Sequence, residues 1–175
     1  VSGCSFFDED KNKTLKLSNN LNREIISNFS KAIKREPDNY LFYLERGKAK
    51  HNYGDYVGAI EDFNYSLKLN SNLKVIFLRA NSKYTYGDHK GAIKDFENLV
   101  SKNIFQDQVF HNIGNSQFIL LNYQKAVNNY TRSIEYDQND EIAYLNRGNA
   151  KFKLKDYLGS IKDYEKSLEI NNNSY

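Results

Sequence analysis

The sequence contains no methionine, no tryptophan, one proline and one cysteine. With Cys4 as the sole thiol, no intramolecular disulfide can form. No stretch approaches the run of about 18 apolar residues that a membrane-spanning helix needs, and the mean hydropathy is −0.76. Neither sign of charge dominates. The 25 Lys and Arg are interleaved with 22 Asp and Glu for a net charge of +3. That balance lacks the concentrated basic stripe of a nucleic-acid binder, so no nucleic acid is expected as a partner. There is no glycine-rich phosphate loop, and Cys4 has no activating partner in a fixed element. Asp8-Glu9-Asp10-Lys11-Asn12 is faintly like a calcium loop. Lys13 stands where such a loop needs glycine and Asn19 where it needs a closing carboxylate, so the stretch reads as a solvated acidic tether. Neither a metal, a cofactor nor a catalytic residue is expected, and the chain is not expected to be an enzyme.

What is present is repetition. Ala59, Ala92, Ala126 and Ser160 recur at spacings of 33, 34 and 34 residues, each followed four residues later by an aromatic: Phe63, Phe96, Tyr130 and Tyr164. A repeat of this length is one supersecondary unit that buries its apolar face against its neighbours, and such an array builds a surface rather than a pocket. Apolar residues recur with helical period inside each unit, and the pattern breaks at Tyr53-Gly54-Asp55, Tyr86-Gly87-Asp88, Leu121-Asn122 and Lys155-Asp156. These breaks predict turns between two helices. Polar stretches such as Asn70-Ser71-Asn72 and Asp137-Gln138-Asn139-Asp140 separate the units, which are bounded at 40–72, 73–106, 107–140 and 141–175. Upstream, 20–39 fits a lone second helix starting near Leu21, a half unit that caps the array, and 1–19 is expected to be a flexible tether. His51 and His111 lie two units apart and His89 falls at a turn, so the histidines predict no shared metal site.

Two helices, a Gly-Asp turn, a small residue midway along the second helix and a period of 34 resemble the tetratricopeptide repeat. The matching residues are Tyr43, Ile76, Phe110 and Tyr144 at position four of the unit, and Gly47, Ala80, Gly114 and Gly148 at position eight. The small residues and the aromatics already named supply positions twenty and twenty-four. This resemblance implies an all-α fold, a right-handed superhelix (α-solenoid) of antiparallel helix pairs, with four full units and an N-terminal half unit. It also implies a concave groove lined by Leu44, Phe77, His111 and Leu145 at position five, and by Lys48, Asn81, Asn115 and Asn149 at nine. His51, Tyr84, Phe118 and Phe152 complete it at twelve. An amide row beside an aromatic row suits an extended peptide, because Asn offers a donor and an acceptor at each step and rings bury alternate side chains. Members that clamp a terminal carboxylate carry cations that Phe77 with Asn81, Asn112, and Ile142 with Asn146 do not reproduce, so no carboxylate clamp is expected.

Where the usual repeat is apolar at positions seven and eleven, this chain has Arg46 and Lys50, Arg79 and Lys83, Arg147 and Lys151. The same three units carry Asp62, Asp95 and Asp163 at position twenty-three, whereas the unit with Ile113 and Gln117 has Asn129. Charge and countercharge vanish together, which predicts ionic triads joining the two helices of each hairpin.

The expected function is a noncatalytic scaffold that binds a protein or peptide partner in the groove. Two alternatives accompany it. One is a self-associating array or homodimer through Ile161 and Leu168 of the last repeat. The other is an envelope lipoprotein assembly factor, because Val1-Ser2-Gly3-Cys4 resembles the lipobox of bacterial lipoproteins, in which the residue matching Cys4 is lipidated. A membrane would then be met only through that anchor, and without it the chain is expected to be cytoplasmic.

Overall fold

The computed structural model describes the backbone of residues 4–172 and the side chains of residues 15–172. Among the described residues there are nine helices and no strand: α1 (Cys4–Arg35), α2 (Tyr40–Tyr53), α3 (Tyr56–Leu69), α4 (Leu73–Tyr86), α5 (His89–Val100), α6 (Gln106–Ile119), α7 (Tyr123–Tyr136), α8 (Glu141–Lys153) and α9 (Tyr157–Asn172). The chain divides into two compact units, Val1–Ser82 and Lys83–Tyr175, with the boundary inside α4. In the first, α1 lies against α2 and α2 against α3; in the second, each helix from α5 to α9 lies against the next.

The helix boundaries follow from local chemistry. Asp55, Asp88 and Asp156 cap α3, α5 and α9 by accepting the N–H of Gly58, Gly91 and Gly159 at 2.9–3.0 Å. The four hairpin turns share one closure, in which the N–H of Asp55, Asp88, Asn122 and Asp156 reaches back to the carbonyl of Lys50, Lys83, Gln117 and Lys151 at 2.8–3.0 Å. That closure needs a left-handed residue. Gly54 and Gly87 supply it at φ 93° and 97°, while Leu121 and Lys155 are forced into it at φ 62° and 66°.

One expectation differs. The segment to residue 19, read as a flexible tether, is helical from Cys4 onward and runs without a break into the half unit. Neither proline nor glycine occurs between Ser5 and Arg35, so nothing stops the helix. Its C-terminal part docks on α2, with Phe29 against Phe42 at 6.0 Å and Arg23 Nε donating to Tyr53 Oη at 2.8 Å. The side chains of Cys4 and of Asp8–Asn12 lie outside the described residues.

The hairpin core is set by ring-on-glycine contact. A Cβ added to Gly47, Gly114 or Gly148 would sit 2.7, 2.6 or 2.7 Å from a ring carbon of Phe63, Tyr130 or Tyr164. Ala59 and Ala126, which pack with Phe63 and Tyr130, are fully buried. Around that core runs an ionic seam. Asp62, 2% exposed, accepts Arg46 Nε at 2.8 Å and Nη2 at 2.7 Å, and pairs with Lys50 Nζ at 3.0 Å. Asp163 repeats this with Arg147 at 2.9 and 2.7 Å and Lys151 at 2.8 Å. The remaining guanidinium nitrogen reaches the preceding helix, from Arg46 to Ser30 Oγ of α1 at 3.1 Å and from Arg147 to Thr131 Oγ1 of α7 at 3.2 Å. Asp95 takes Lys83 Nζ at 2.8 Å, and Arg79 donates to Asn64 Oδ1 at 2.7 Å within the first unit. In the α6–α7 hairpin the same places hold buried Ile113, Gln117 accepting from Asn122, and Asn129 donating to the Lys125 carbonyl.

Two stability outcomes follow. Asp163→Ala leaves Arg147 and Lys151 without their shared carboxylate and lowers the unfolding free energy by about 3–5 kcal/mol, whereas Asn129→Ala costs about 0–1 kcal/mol. Equal effects in urea titrations would mean that the seam does not hold the hairpin. Lys155→Gly relieves a left-handed lysine and raises stability by about 0.5 kcal/mol, the strain removed exceeding the flexibility gained by the unfolded chain; a drop in the urea midpoint would contradict that reading.

Candidate functional site

The side of the first helices that carries positions nine and twelve forms a cleft in each compact unit. In the first unit a cleft of about 280 Å³ is lined by Lys48, His51, Asn52, Phe63, Leu78 and Asn81. Lys48 Nζ pairs with Glu45 at 2.6 Å. The buried Ser82 hydroxyl donates to the Leu78 carbonyl at 3.0 Å and lies 2.8 Å from His51 Nδ1, so Nδ1 carries the proton and Nε2 is left as an acceptor. Burial pushes the His51 imidazole below its ordinary pKa, favouring the neutral ring.

In the second unit a smaller cleft of about 110 Å³ lies among Tyr84, Asn115, Phe118, Tyr130, Asn146 and Asn149. Its polarity differs from the expected donor and acceptor at each step. The Tyr130 hydroxyl donates to Asn115 Oδ1 at 2.7 Å and Asn146 Nδ2 donates to the same oxygen at 3.3 Å. The Tyr164 hydroxyl donates to Asn149 Oδ1 at 2.8 Å. Both carbonyl oxygens are occupied, so the two amides present N–H groups. Burial, with the nearby Tyr84 adding to it, pushes the Tyr130 phenol up and keeps it a donor. Beside them His111 contacts Asp140 Oδ2 through Nδ1 at 3.1 Å, and Asn146 Nδ2 reaches its Nε2 at 3.2 Å. Burial pushes the Asp140 carboxyl up, but His111 and the backbone N–H groups of Ala143 and Ile142 outweigh it and hold the pKa below the usual carboxylate value.

One residue assigned to the groove sits elsewhere. Leu44 is 7% exposed and packs with Ala59, Phe63 and Val75, so it is core; the helix turns it toward α3 and α4. Leu145 and Phe152 lie open on α8 at 43% and 52% exposure and line neither cleft, and Phe77 is half-buried on α4. The position-twelve rings are partly structural. His51, Tyr84, Phe118 and Phe152 each set an edge against His or Tyr at position seventeen across the turn: Tyr56, His89, Tyr123 and Tyr157, at 5.3–5.5 Å. Asn146 and the two tyrosine hydroxyls are the polar groups that sequence reasoning missed. Their signal was the change from Phe63 and Phe96 to Tyr130 and Tyr164 at one repeat position.

The tetratricopeptide-repeat family profile matches residues 142–174. No curated protein sequence matches the chain. Among solved structures, the chain is similar to MamA (19% identity, 85% of this chain and 88% of that one, TM-score 0.80) and to MamA from Desulfovibrio magneticus RS-1 (15%, 91% and 96%, TM-score 0.81). It is also similar to YrrB, described as a tetratricopeptide-repeat protein with an unusual peptide-binding site (15%, 97% and 92%, TM-score 0.75). At these identities the likeness establishes the fold, a helical solenoid of antiparallel pairs.

The His51 environment makes a pH-dependent outcome. Because burial lowers its pKa in the folded state, the unfolded chain binds that proton more readily. The neutral ring's contribution is whole above the ordinary imidazole value of about 6.5 and is lost as pH falls through the lower folded value. His51→Gln flattens the decline in unfolding free energy between about pH 7 and pH 5. Parallel wild-type and mutant profiles would place the titrating group elsewhere.

Proposed function

We propose, from the match of residues 142–174 to the tetratricopeptide-repeat profile, that the chain is a noncatalytic protein-interaction scaffold. Its clefts on the first helices hold an extended segment or helix of a partner. What supports the reading is the fixed orientation of Asn115 and Asn149, whose carbonyl oxygens are taken by tyrosine hydroxyls and whose amide N–H groups have no partner among the described residues. An extended peptide displays a carbonyl at every residue, and each needs a donor once water is excluded. The peptide-binding site named for YrrB lies on the same fold, which favours a peptide as the occupant here.

The test reverses the polarity without changing shape. Asn115→Asp combined with Asn149→Asp replaces two donors by acceptors, and both variants still accept the tyrosine hydroxyls. A partner captured from source-cell extract on the immobilised wild-type chain is expected to bind the double variant at least about tenfold more weakly, on the order of 1.4 kcal/mol. Unchanged capture by a variant of wild-type circular dichroism would remove the clefts from the interaction.

A further inference from the structure

The α6–α7 hairpin departs from its neighbours at more places than the ionic triad. Counting the units from Tyr40, Leu73, Asp107 and Glu141, position nineteen is Gly58, Gly91 and Gly159 in three units and Lys125 in this one. Position sixteen is Asp55, Asp88 and Asp156 in the three and Asn122 here. The two changes belong together. A Cβ on any of those glycines would overlap the capping carboxylate, and Asn122 accordingly makes no side-chain cap. With Ile113, Gln117 and Asn129 replacing Arg, Lys and Asp, the hairpin has lost both the side chains that fill its seam and the carboxylates that would neutralise it.

What is left is a cavity of about 360 Å³ with Phe110 and Ile113 in its wall. At about 100° per residue, Phe110, Ile113 and Gln117 lie on the side of α6 opposite His111, Asn115 and Phe118, so this cavity is separate from the cleft. Lys125, Asn128, Asn129 and Arg132 of α7 border it along one helix face, with Glu97 of α5 as its one carboxylate. Among the described residues neither Lys125 nor Arg132 forms an ion pair, with Glu97 or with any other acid. Arg132 lies over the Phe110 ring at 4.6 Å, which covers the guanidinium plane and leaves its edge donors outward. Arg46 and Arg147 sit similarly over Tyr43 and Tyr144, but their donors are spent on Asp62 and Asp163.

We propose that this vacated seam docks an acidic peptide segment of a partner, with carboxylates on Lys125 and Arg132 and its backbone on the amides between them. Two unneutralised cations against one carboxylate give the face its sign. Seven residues of helix separate the cations by about 10.5 Å, between the roughly 7 and 14 Å that part same-face carboxylates two and four residues apart on an extended strand; the long Lys and Arg stems take up the difference, and the gap is too wide for one small anion. Lys125, Asn128 and Arg132 are all exposed, so a chain can lie across them.

A fluorescein-labelled peptide of alternating Glu and Ser, with a Gln-Ser peptide as its uncharged control, is titrated with the full chain by anisotropy. The Glu peptide alone binds, Lys125→Gln and Arg132→Gln each weaken it about five- to tenfold, and isosteric Asn129→Asp weakens it comparably by restoring a carboxylate to the seam. Lys162→Gln, an equal charge change on α9, leaves affinity within about twofold. The proposal is overturned if Lys162→Gln weakens binding as much as Lys125→Gln, since the attraction is then diffuse. It is equally overturned if the Gln peptide binds as well, if inorganic phosphate at the same concentration displaces the peptide, or if Asn115→Asp abolishes binding while Lys125→Gln does not.

Discussion

The contact on which three of the four hairpins depend is an aromatic ring laid on a glycine. At Gly47, Gly114 and Gly148 there is no room for a side chain between the first helix and the ring from the second, so the ring fixes how closely the two backbones approach. That spacing also reaches the cleft. A tyrosine ring seated on Gly114 or Gly148 carries its hydroxyl to the next residue along, Asn115 or Asn149, and turns each amide so that its N–H groups face outward. Packing in the hairpin and polarity in the cleft are thus one geometric decision, made by the presence or absence of a single oxygen at position twenty-four.

The ionic seam works at a different level. A buried carboxylate costs several kcal/mol to desolvate, and bidentate Arg with a second cation recovers that cost through short charged hydrogen bonds. Arg46 shows the coupling: its bond to Asp62 leads the influences on it and outweighs burial, raising its pKa. Because the guanidinium also bonds the helix before it, each complete seam stitches one helix pair to the previous helix. The α6–α7 hairpin dispenses with this stitch and rests on apolar contact instead, with buried Ile113 and Phe110.

Most of the fold was legible because it is written four times. Small residues at eight and twenty, aromatics at twenty-four and Asp or Asn at sixteen recur in all four units, with glycine at fifteen in two of them. The pairing of Arg46 and Lys50 with Asp62 was legible too, since Asn129 loses its charge where Ile113 and Gln117 lose theirs. Cleft membership was less so. Position five reads as groove by resemblance, but Leu44 rotates into the core while Leu145 stays open, because what packs against a helix face depends on the helices either side of it. Amide orientation was hidden for a similar reason: Asn115 is chemically symmetrical to a sequence reader, and a residue fifteen positions away chooses which end faces out. The tether was misread because residues 1–19 lack the repeat's pattern, although nothing between Ser5 and Arg35 interrupts a helix.

That first helix has a mechanical consequence. At 32 residues its axis is about 48 Å long, and Arg23, Phe29 and Ser30 in its second half make the contacts with α2. Whatever the first turn carries is therefore borne on a rod rather than a string. A slack linker would let its two ends reorient independently, whereas a continuous helix transmits direction and torque from one end to the other.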